Sequence, residues 1–273
     1  MTLPFESRRS TLIFSSALFT VSDQRRRGPS KGWGPEVGGF PPLITLTRCG
    51  VYACVAGDET VVTDPLNAKY YDGEHSFRFR RLADGGEDLT VIIPDISIID
   101  ELFVGFGYQT PISPELYLAH IQLYNRLRSG LFDTLSAEEA ILELLYEVVR
   151  SAGGAGAPAR INPVTRKRLD NARAFVAVEP EADHHLAEVA QVAGASPFHF
   201  ARLFKAHTGH SLRAYRLRLR LAKAVERISQ GDDDLAGLAL DSGFSHQSHM
   251  TAAFRKVLST TPDAVRRSLH ALN

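Results

Sequence analysis

The sequence predicts an α+β protein of two domains, in which a β-rich N-terminal domain that ends in a helical pair precedes an all-α C-terminal domain. Three observations predict it: short apolar segments between turn residues, a later change to helical periodicity, and one helical pattern that occurs twice near the C-terminus. A chain of 273 residues that is 44% hydrophobic is long enough to form two cores.

The N-terminal strands are predicted between residues 14 and 95, where β-branched and aromatic segments alternate with Gly, Pro and Asp clusters. The segments are 43–46, 51–55, 60–63, 76–81 and 89–93. Five or more short strands at this spacing indicate a small β-barrel or sandwich that ends at about residue 95.

Two helices are predicted over about 113–150. Ser113-Pro114 provides an N-cap for the first helix, and Ser136 with Glu139 forms a capping box that opens the second. One face of the first helix carries Leu116, Tyr117, Ile121, Tyr124 and Leu127. We expect the two helices to pack antiparallel.

The domain boundary is predicted at a glycine-rich linker. Residues 153–158 read Gly-Gly-Ala-Gly-Ala-Pro, which is unfavourable for regular structure. Residues 1–159 carry 14 Lys and Arg against 20 Asp and Glu, whereas residues 160–273 carry 17 against 11. We therefore expect an acidic domain over 1–152, a linker over 153–162 and a basic domain over 163–273.

The C-terminal part contains one pattern twice. Leu186, Ala190, Gly194, Phe200 and Phe204 recur as Leu235, Ala239, Gly243, Met250 and Phe254. A small residue allows close helix contact, and a glycine supplies the positive φ of a tight turn. The apolar residue beyond it returns the second helix to the core, and the Phe one turn further fixes that helix. This pattern is typical of helix-turn-helix units, here over about 186–206 and 235–257.

A connecting helix between the two units is predicted from a helical apolar stripe. The stripe consists of Leu212, Tyr215, Leu219, Ala222, Val225 and Ile228, and most basic residues of the segment lie off it. A rigid connector would place the two recognition helices in successive major grooves, roughly 34 Å apart.

Residues 186–267 resemble the DNA-binding domain of the AraC/XylS family of bacterial regulators. The resemblance is carried by SPFHFARLFK at 196–205, RLAKA at 220–224, ALDSGFSHQSHM at 239–250 and TPDAVRR at 261–267. It implies that the two recognition helices bind duplex DNA. The implied contact residues are Phe198, His199, Ala201, Arg202 and Lys205 in the first helix, and Gln247, Ser248, His249, Thr251, Arg255 and Lys256 in the second.

Arg202 is the main candidate for direct base readout, because a bidentate Arg to guanine is the commonest specific contact. The second unit departs from this pattern, since Ala252 stands where the first has Arg202. We therefore expect the second helix mainly to position the protein. Ser259 and Val265 also replace the Gly and Tyr that are usual in the family.

The N-terminal domain is similar to the cupin-like sensor domains of this family. The resemblance is carried by RCGVY at 48–52, VVTDP at 61–65 and DGGEDLT at 84–90. His75 and His120 are too few for the metal site of an enzymatic cupin, so we expect a non-enzymatic barrel without a metal or another cofactor. Candidate ligand-binding residues are Trp33, Tyr52, Tyr70, Phe77 and Phe79, for each of which core packing is the alternative.

The chain has two cysteines, Cys49 and Cys54, which favours a reducing cytoplasm over a disulfide scaffold. Five residues apart in one predicted strand, they would point to opposite faces, so separate packing is expected and redox sensing is the alternative. The apolar run 11–21 is too short for a membrane span, and neither membrane nor export is expected.

These patterns predict a sequence-specific, DNA-binding transcription regulator rather than an enzyme. The expected partners are double-stranded DNA, a small-molecule or stress signal at the N-terminal domain, and a second copy bound through the helices at 113–150. Two alternatives remain: a DNA-binding module attached to an enzymatic or redox-sensing domain, and a module that holds DNA without any signal.

Overall fold

A computed structural model of the chain describes residues 10–28, 32–56, 59–103, 108–130, 132–154 and 162–270. Within these residues an N-terminal region built on antiparallel sheets leads into a helical C-terminal region. The predicted α+β class with two parts is confirmed.

The described strands form two antiparallel sheets. Their bounds are β1 Ser10–Ser15, β2 Phe19–Arg26, β3 Leu43–Gly50, β4 Tyr52–Ala56, β5 Glu59–Thr63, β6 Asn67–Tyr71, β7 Phe77–Arg81, β8 Glu87–Pro94 and β9 Gln109–Pro111. The larger sheet has the order β1-β2-β8-β3-β6-β9, and the smaller has the order β5-β4-β7.

Five strands, β3, β4, β5, β7 and β8, correspond to the predicted segments. The described strands of the two sheets do not close into one hydrogen-bonded barrel, so the cupin-like barrel is not confirmed.

The central strands of the larger sheet are buried on both faces because their side chains alternate between two cores. On one face Leu89 and Val91 of β8 join an aromatic cluster with Tyr52, Tyr71 and Phe77. On the other face the cluster contains Phe19, Val21, Ile44, Leu46 and Ile92, together with side chains of the helices that follow. The period of two along each strand thus distributes side chains between the small sheet and the helices.

The helices are α1 Ile96–Leu102, α2 Pro114–Arg128, α3 Thr134–Gly154, α4 Pro163–Val178, α5 Leu186–Val192, α6 Pro197–Thr208, α7 Leu212–Ser229, α8 Leu235–Asp241, α9 Gln247–Leu258 and α10 Pro262–His270. Ser113 caps α2 as predicted, because its hydroxyl accepts from the Leu116 N–H at 3.1 Å. The predicted capping box of α3 is displaced: the Asp133 carboxylate accepts from the Ser136 N–H at 3.0 Å, so this helix begins three residues, or nearly one turn, earlier.

The predicted linker over 153–162 is only partly described. Gly153 and Gly154 still belong to α3, and Asn162 is the N-cap of α4. Residues 155–161 lie outside the described part of the chain.

Both helix-turn-helix turns have the backbone that the repeat predicted. Gly194 and Gly243 adopt φ values of 60° and 81°. At Gly243 a Cβ would lie 2.7 Å from the Cα of Glu181, so the turn requires glycine for space as well as for conformation.

The repeat also extends to the ends of the recognition helices. The C-cap of α6 is Gly209 with φ 75°, and the C-cap of α9 is Ser259 with φ 54°. The family's usual glycine is replaced at Ser259, yet the left-handed backbone is retained. Since a side chain destabilises this conformation, Ser259 is a strained residue.

Replacing Ser259 by glycine removes this strain, so Ser259→Gly is expected to raise the free energy of unfolding by about 1 kcal/mol. The matched control is Gly209→Ser at the equivalent position, where an added Cβ would have no atom within 4 Å. It should lower stability by a similar amount. Urea unfolding measures both, and a decrease with Ser259→Gly would contradict the assignment.

Candidate nucleic-acid interface

The helix α6 separates a buried face from an exposed one. Phe200 and Phe204 are fully buried, whereas Phe198 is 83% exposed. Of the other residues predicted to contact DNA, His199, Arg202 and Lys205 are exposed and Ala201 is half-buried. Ser196 caps the helix and Pro197 occupies its first turn. The structure therefore brings the predicted contact residues of the first unit together on one outer face.

The helix α9 has the same arrangement. Met250, Ala253, Phe254 and Leu258 are buried. All predicted contact residues lie off this face: Gln247, Ser248, His249, Arg255 and Lys256 are exposed, and Thr251 is half-buried. Ala252, at the position equivalent to Arg202, is also exposed.

His246 is a residue that the sequence analysis missed. As N-cap of α9, its Nδ1 accepts from the His249 N–H at 3.1 Å, while Ser245 Oγ lies 3.0 Å from His249 Nδ1. A histidine is an unusual cap, and its place before the second recognition helix was the only available signal. These bonds fix the first turn of α9 and the ring of His249.

The connecting helix α7 holds both units through its arginines. Arg220 Nε donates to the Pro180 carbonyl at 2.7 Å, and its Nη1 donates to the Gly243 carbonyl at 2.6 Å. Arg216 Nη1 donates to the Ala182 carbonyl at 3.1 Å. Arg220 thus joins the loop before α5 to the turn of the second unit. These guanidinium groups are therefore engaged in contacts within the C-terminal region.

Another face of α7 is buried against the N-terminal sheet. Arg48 of β3 is fully buried, and its Nε lies 3.4 Å from Glu226 Oε1 of α7. Its Nη2 pairs with Asp23 of β2, and its Nη1 donates to Thr90 Oγ1 at 2.9 Å. The guanidinium also stacks 4.0 Å from the ring centre of Tyr124. Burial raises the pKa of Glu226, and the Arg48 charge opposes this shift.

A second buried network connects the sheet to the first unit. Arg173 of α4 bonds Asp64 at 2.9 Å and Asp170 at 3.1 Å. Tyr215 of α7 donates to the same Asp64. The turn between β5 and β6 is therefore tied to two helices of the C-terminal region. Sequence analysis missed both networks, because their partners come from separate segments of the chain.

The groups best placed to hold a metal ion, among the described residues, are Cys49, Asp88 and Glu226, whose ligand atoms lie within 4.8 Å of one another. Their charges are already compensated, since Arg27 bonds Asp88 at 3.1 Å and Arg48 pairs with Glu226. Burial, with the two carboxylates, raises the pKa of the Cys49 thiol to about 12. A thiolate ligand or nucleophile is therefore strongly disfavoured here.

Cys54 is also buried, and burial raises the pKa of its thiol. The two cysteines lie in different strands, β3 and β4, which corrects the expectation that they share one.

His120 is buried beside Thr90, and burial lowers its pKa to about 3, whereas His75 is exposed beside Asp72. The two histidines occupy separate environments.

The five candidate ligand-binding residues do not surround one space. Tyr52, Phe77 and Phe79 pack in the aromatic cluster between the sheets. Tyr70 lies on the opposite face of the larger sheet and stacks on Phe103 with ring centres 5.1 Å apart. Trp33 is 38% exposed.

Two helix pairs with buried inner faces, polar outer faces and a shared scaffold helix define a double helix-turn-helix protein of the DNA-binding class. Residues 189–268 match a family model described as a helix-turn-helix domain. This segment is an AraC-type DNA-binding domain, as the sequence predicted.

The curated relatives are named as regulators. An uncharacterized HTH-type transcriptional regulator of Haemophilus influenzae is 25% identical over 162 residues, which cover 59% of this chain and 53% of that protein. The activator RhaS of Pectobacterium carotovorum is 40% identical over 65 residues, 24% of this chain and 23% of its own. The chain thus spans about half, or less, of the length of these relatives.

Two solved structures align with the chain at low TM-scores. ToxT of Vibrio cholerae with a bound unsaturated fatty acid aligns with a TM-score of 0.38 at 11% identity, over 94% of this chain and 97% of that one. An AraC-type DNA-binding domain protein of Chromobacterium violaceum aligns with a TM-score of 0.37 at 26% identity, over 40% and 96%.

The helices in the described part of the chain include none that is both long and apolar enough to cross a membrane.

The buried pair between β3 and α7 gives a stability prediction. Glu226→Ala should lower the free energy of unfolding by about 3 kcal/mol, because Arg48 loses one of its buried counter-charges. The control on the same helix is Lys223→Ala, which breaks a half-buried pair with Glu181 at 3.0 Å that is far less buried than Arg48 and Glu226, and which should lower stability by much less. Equal losses in urea unfolding would show that burial of the pair is unimportant.

Proposed function

We propose that the protein is a sequence-specific transcription regulator, in which α6 and α9 bind duplex DNA and the N-terminal domain modulates this binding. The proposal divides the chain into a regulatory unit at 1–152, a linker at 153–162 and a DNA-binding unit at 163–273. The observation that carries it is the position of α7, which holds both helix-turn-helix units and is buried against the N-terminal sheet.

The first unit supplies the direct readout. Arg202 can form a bidentate contact with guanine, and Lys205 is placed one turn further for a phosphate. Phe198 exposes a large apolar ring to water, which does not stabilise the folded chain. Contact of this ring with a thymine methyl group, beside Ala201 and His199, would bury it.

The second unit contributes fewer base contacts. Gln247, Ser248 and Thr251 are assigned to base edges, and His249, Arg255 and Lys256 to the backbone. Ala252 cannot form the hydrogen bonds that Arg202 can form. The second unit therefore mainly fixes the register of the protein on the duplex.

Modulation by the N-terminal domain is supported by the buried network of Arg48. A signal that moves β3 or α2 must move α7 as well, because a buried charge left without its partner is strongly unfavourable. We assign the signal to a small molecule bound by the N-terminal domain. Because Trp33, Tyr52, Tyr70, Phe77 and Phe79 do not surround one space, they are not assigned as one set of contacts. A change in DNA affinity when an effector is bound would support the small-molecule assignment. Effectors that raise the melting temperature of the protein without changing its affinity for DNA would contradict it.

Dimerisation through the helices α2 and α3 is the third part of the proposal. Leu135, Leu142 and Tyr146 of α3 are 64%, 43% and 56% exposed, at spacings of seven and four residues that place them on one face. Such a stripe is typical of a helix that packs against a second copy. A monomeric mass in light scattering at micromolar concentration would contradict this part alone.

The readout assignment is tested with two variants on the DNA upstream of the protein's own gene and on an unrelated duplex. Arg202→Ala should weaken specific binding by about 10- to 100-fold, with little change on the unrelated duplex. Lys205→Ala should weaken both by similar factors and reduce the salt dependence. If Arg202→Ala affects both duplexes equally, Arg202 contacts the backbone and the readout assignment is wrong.

A further inference from the structure

The first turns of α4 carry three consecutive basic residues, Arg166, Lys167 and Arg168. The first turn has no acidic residue, although carboxylates are the favoured charges at this end of a helix. Lys167 and Arg168 are exposed. Neither forms an ion pair with another described residue. Basic residues at a helix N-terminus are unfavourable for its stability, and such local conflicts are expected where a residue has a function.

A groove lies beside this segment. It has a volume of about 370 Å³ and is formed by the start of α4, the turn between α5 and α6, and the first turns of α6. Polar groups in its lining come from Thr165, Arg168, Ser196 and His199, and no lining residue is acidic. The Arg168 guanidinium carbon lies 3.9 Å from the point that a Cβ on Gly194 would occupy, so this side chain covers the turn of the first unit.

The groove is continuous with the proposed DNA-contacting face of α6. His199 belongs both to its lining and to the exposed face that carries Arg202. A DNA strand in contact with α6 would therefore continue past the start of α4. Its phosphates would supply the opposite charge for Lys167 and Arg168, which form no ion pair with any residue in the described part of the chain.

We propose that Lys167 and Arg168 bind a backbone phosphate of the DNA at this groove, so that α4 extends the contact surface of the first helix-turn-helix unit. This inference rests on the proposed function. The Arg168 guanidinium would donate to phosphate oxygens, with the Thr165 hydroxyl as a further donor and Lys167 as a point charge. The contact carries no sequence information and strengthens binding to any duplex.

The test is the double variant Lys167→Ala/Arg168→Ala in the full chain, with binding to the upstream duplex and to an unrelated duplex of equal length measured at several salt concentrations. The slope of log K against log salt should become shallower by about 1, since one phosphate contact contributes about 0.9. Affinity should fall by similar factors on both duplexes. The melting temperature should stay the same or rise, because unfavourable charges leave the start of α4.

The matched control is Arg78→Ala/Arg80→Ala, which removes the same charge from exposed positions of β7. It should retain the wild-type slope. An unchanged slope in the α4 variant, or a change equal to that of the control, would overturn the inference while the proposed function stands. A wild-type chain that binds neither duplex would overturn the proposed function and this inference with it.

Discussion

The ion pair between Arg48 of the sheet and Glu226 of α7 constrains the rest of the structure. Both groups are buried, and a buried charge is tolerated only when it is paired and hydrogen-bonded. Asp23, Thr90 and Tyr124 complete the surroundings of Arg48. Since these partners lie on two strands and a helix, the pair fixes α7 relative to the N-terminal region at a single register.

The position of α7 explains how one helix can serve two purposes. One side pairs with the sheet through Glu226, and another holds the loops of both helix-turn-helix units through Arg216 and Arg220. A change in the sheet and a change in the spacing of the recognition helices are thus linked through one rigid element. The proposed regulation of DNA binding by the N-terminal domain would act directly through this helix.

The C-terminal region could be predicted from the sequence because its determinants are local. Gly194 and Gly243 mark the turns, and Phe204 and Phe254 mark the core at a repeating spacing. The five predicted strands are likewise marked by β-branched or aromatic residues. By contrast, β2 and β6 contain buried polar residues such as Asp23 and Lys69, so their composition resembles that of a loop. Asp23 pairs with Arg48 and Tyr124, which are distant in sequence, and no local pattern can indicate such partners.

Hydroxyl-radical footprinting of the full chain on its upstream DNA tests the central claim that α7 holds two DNA-binding units in a fixed relation. Two recognition helices on one scaffold should protect two segments on the same face of the duplex, about one helical turn or 34 Å apart. A single protected segment, or two segments at variable spacing, would contradict the account.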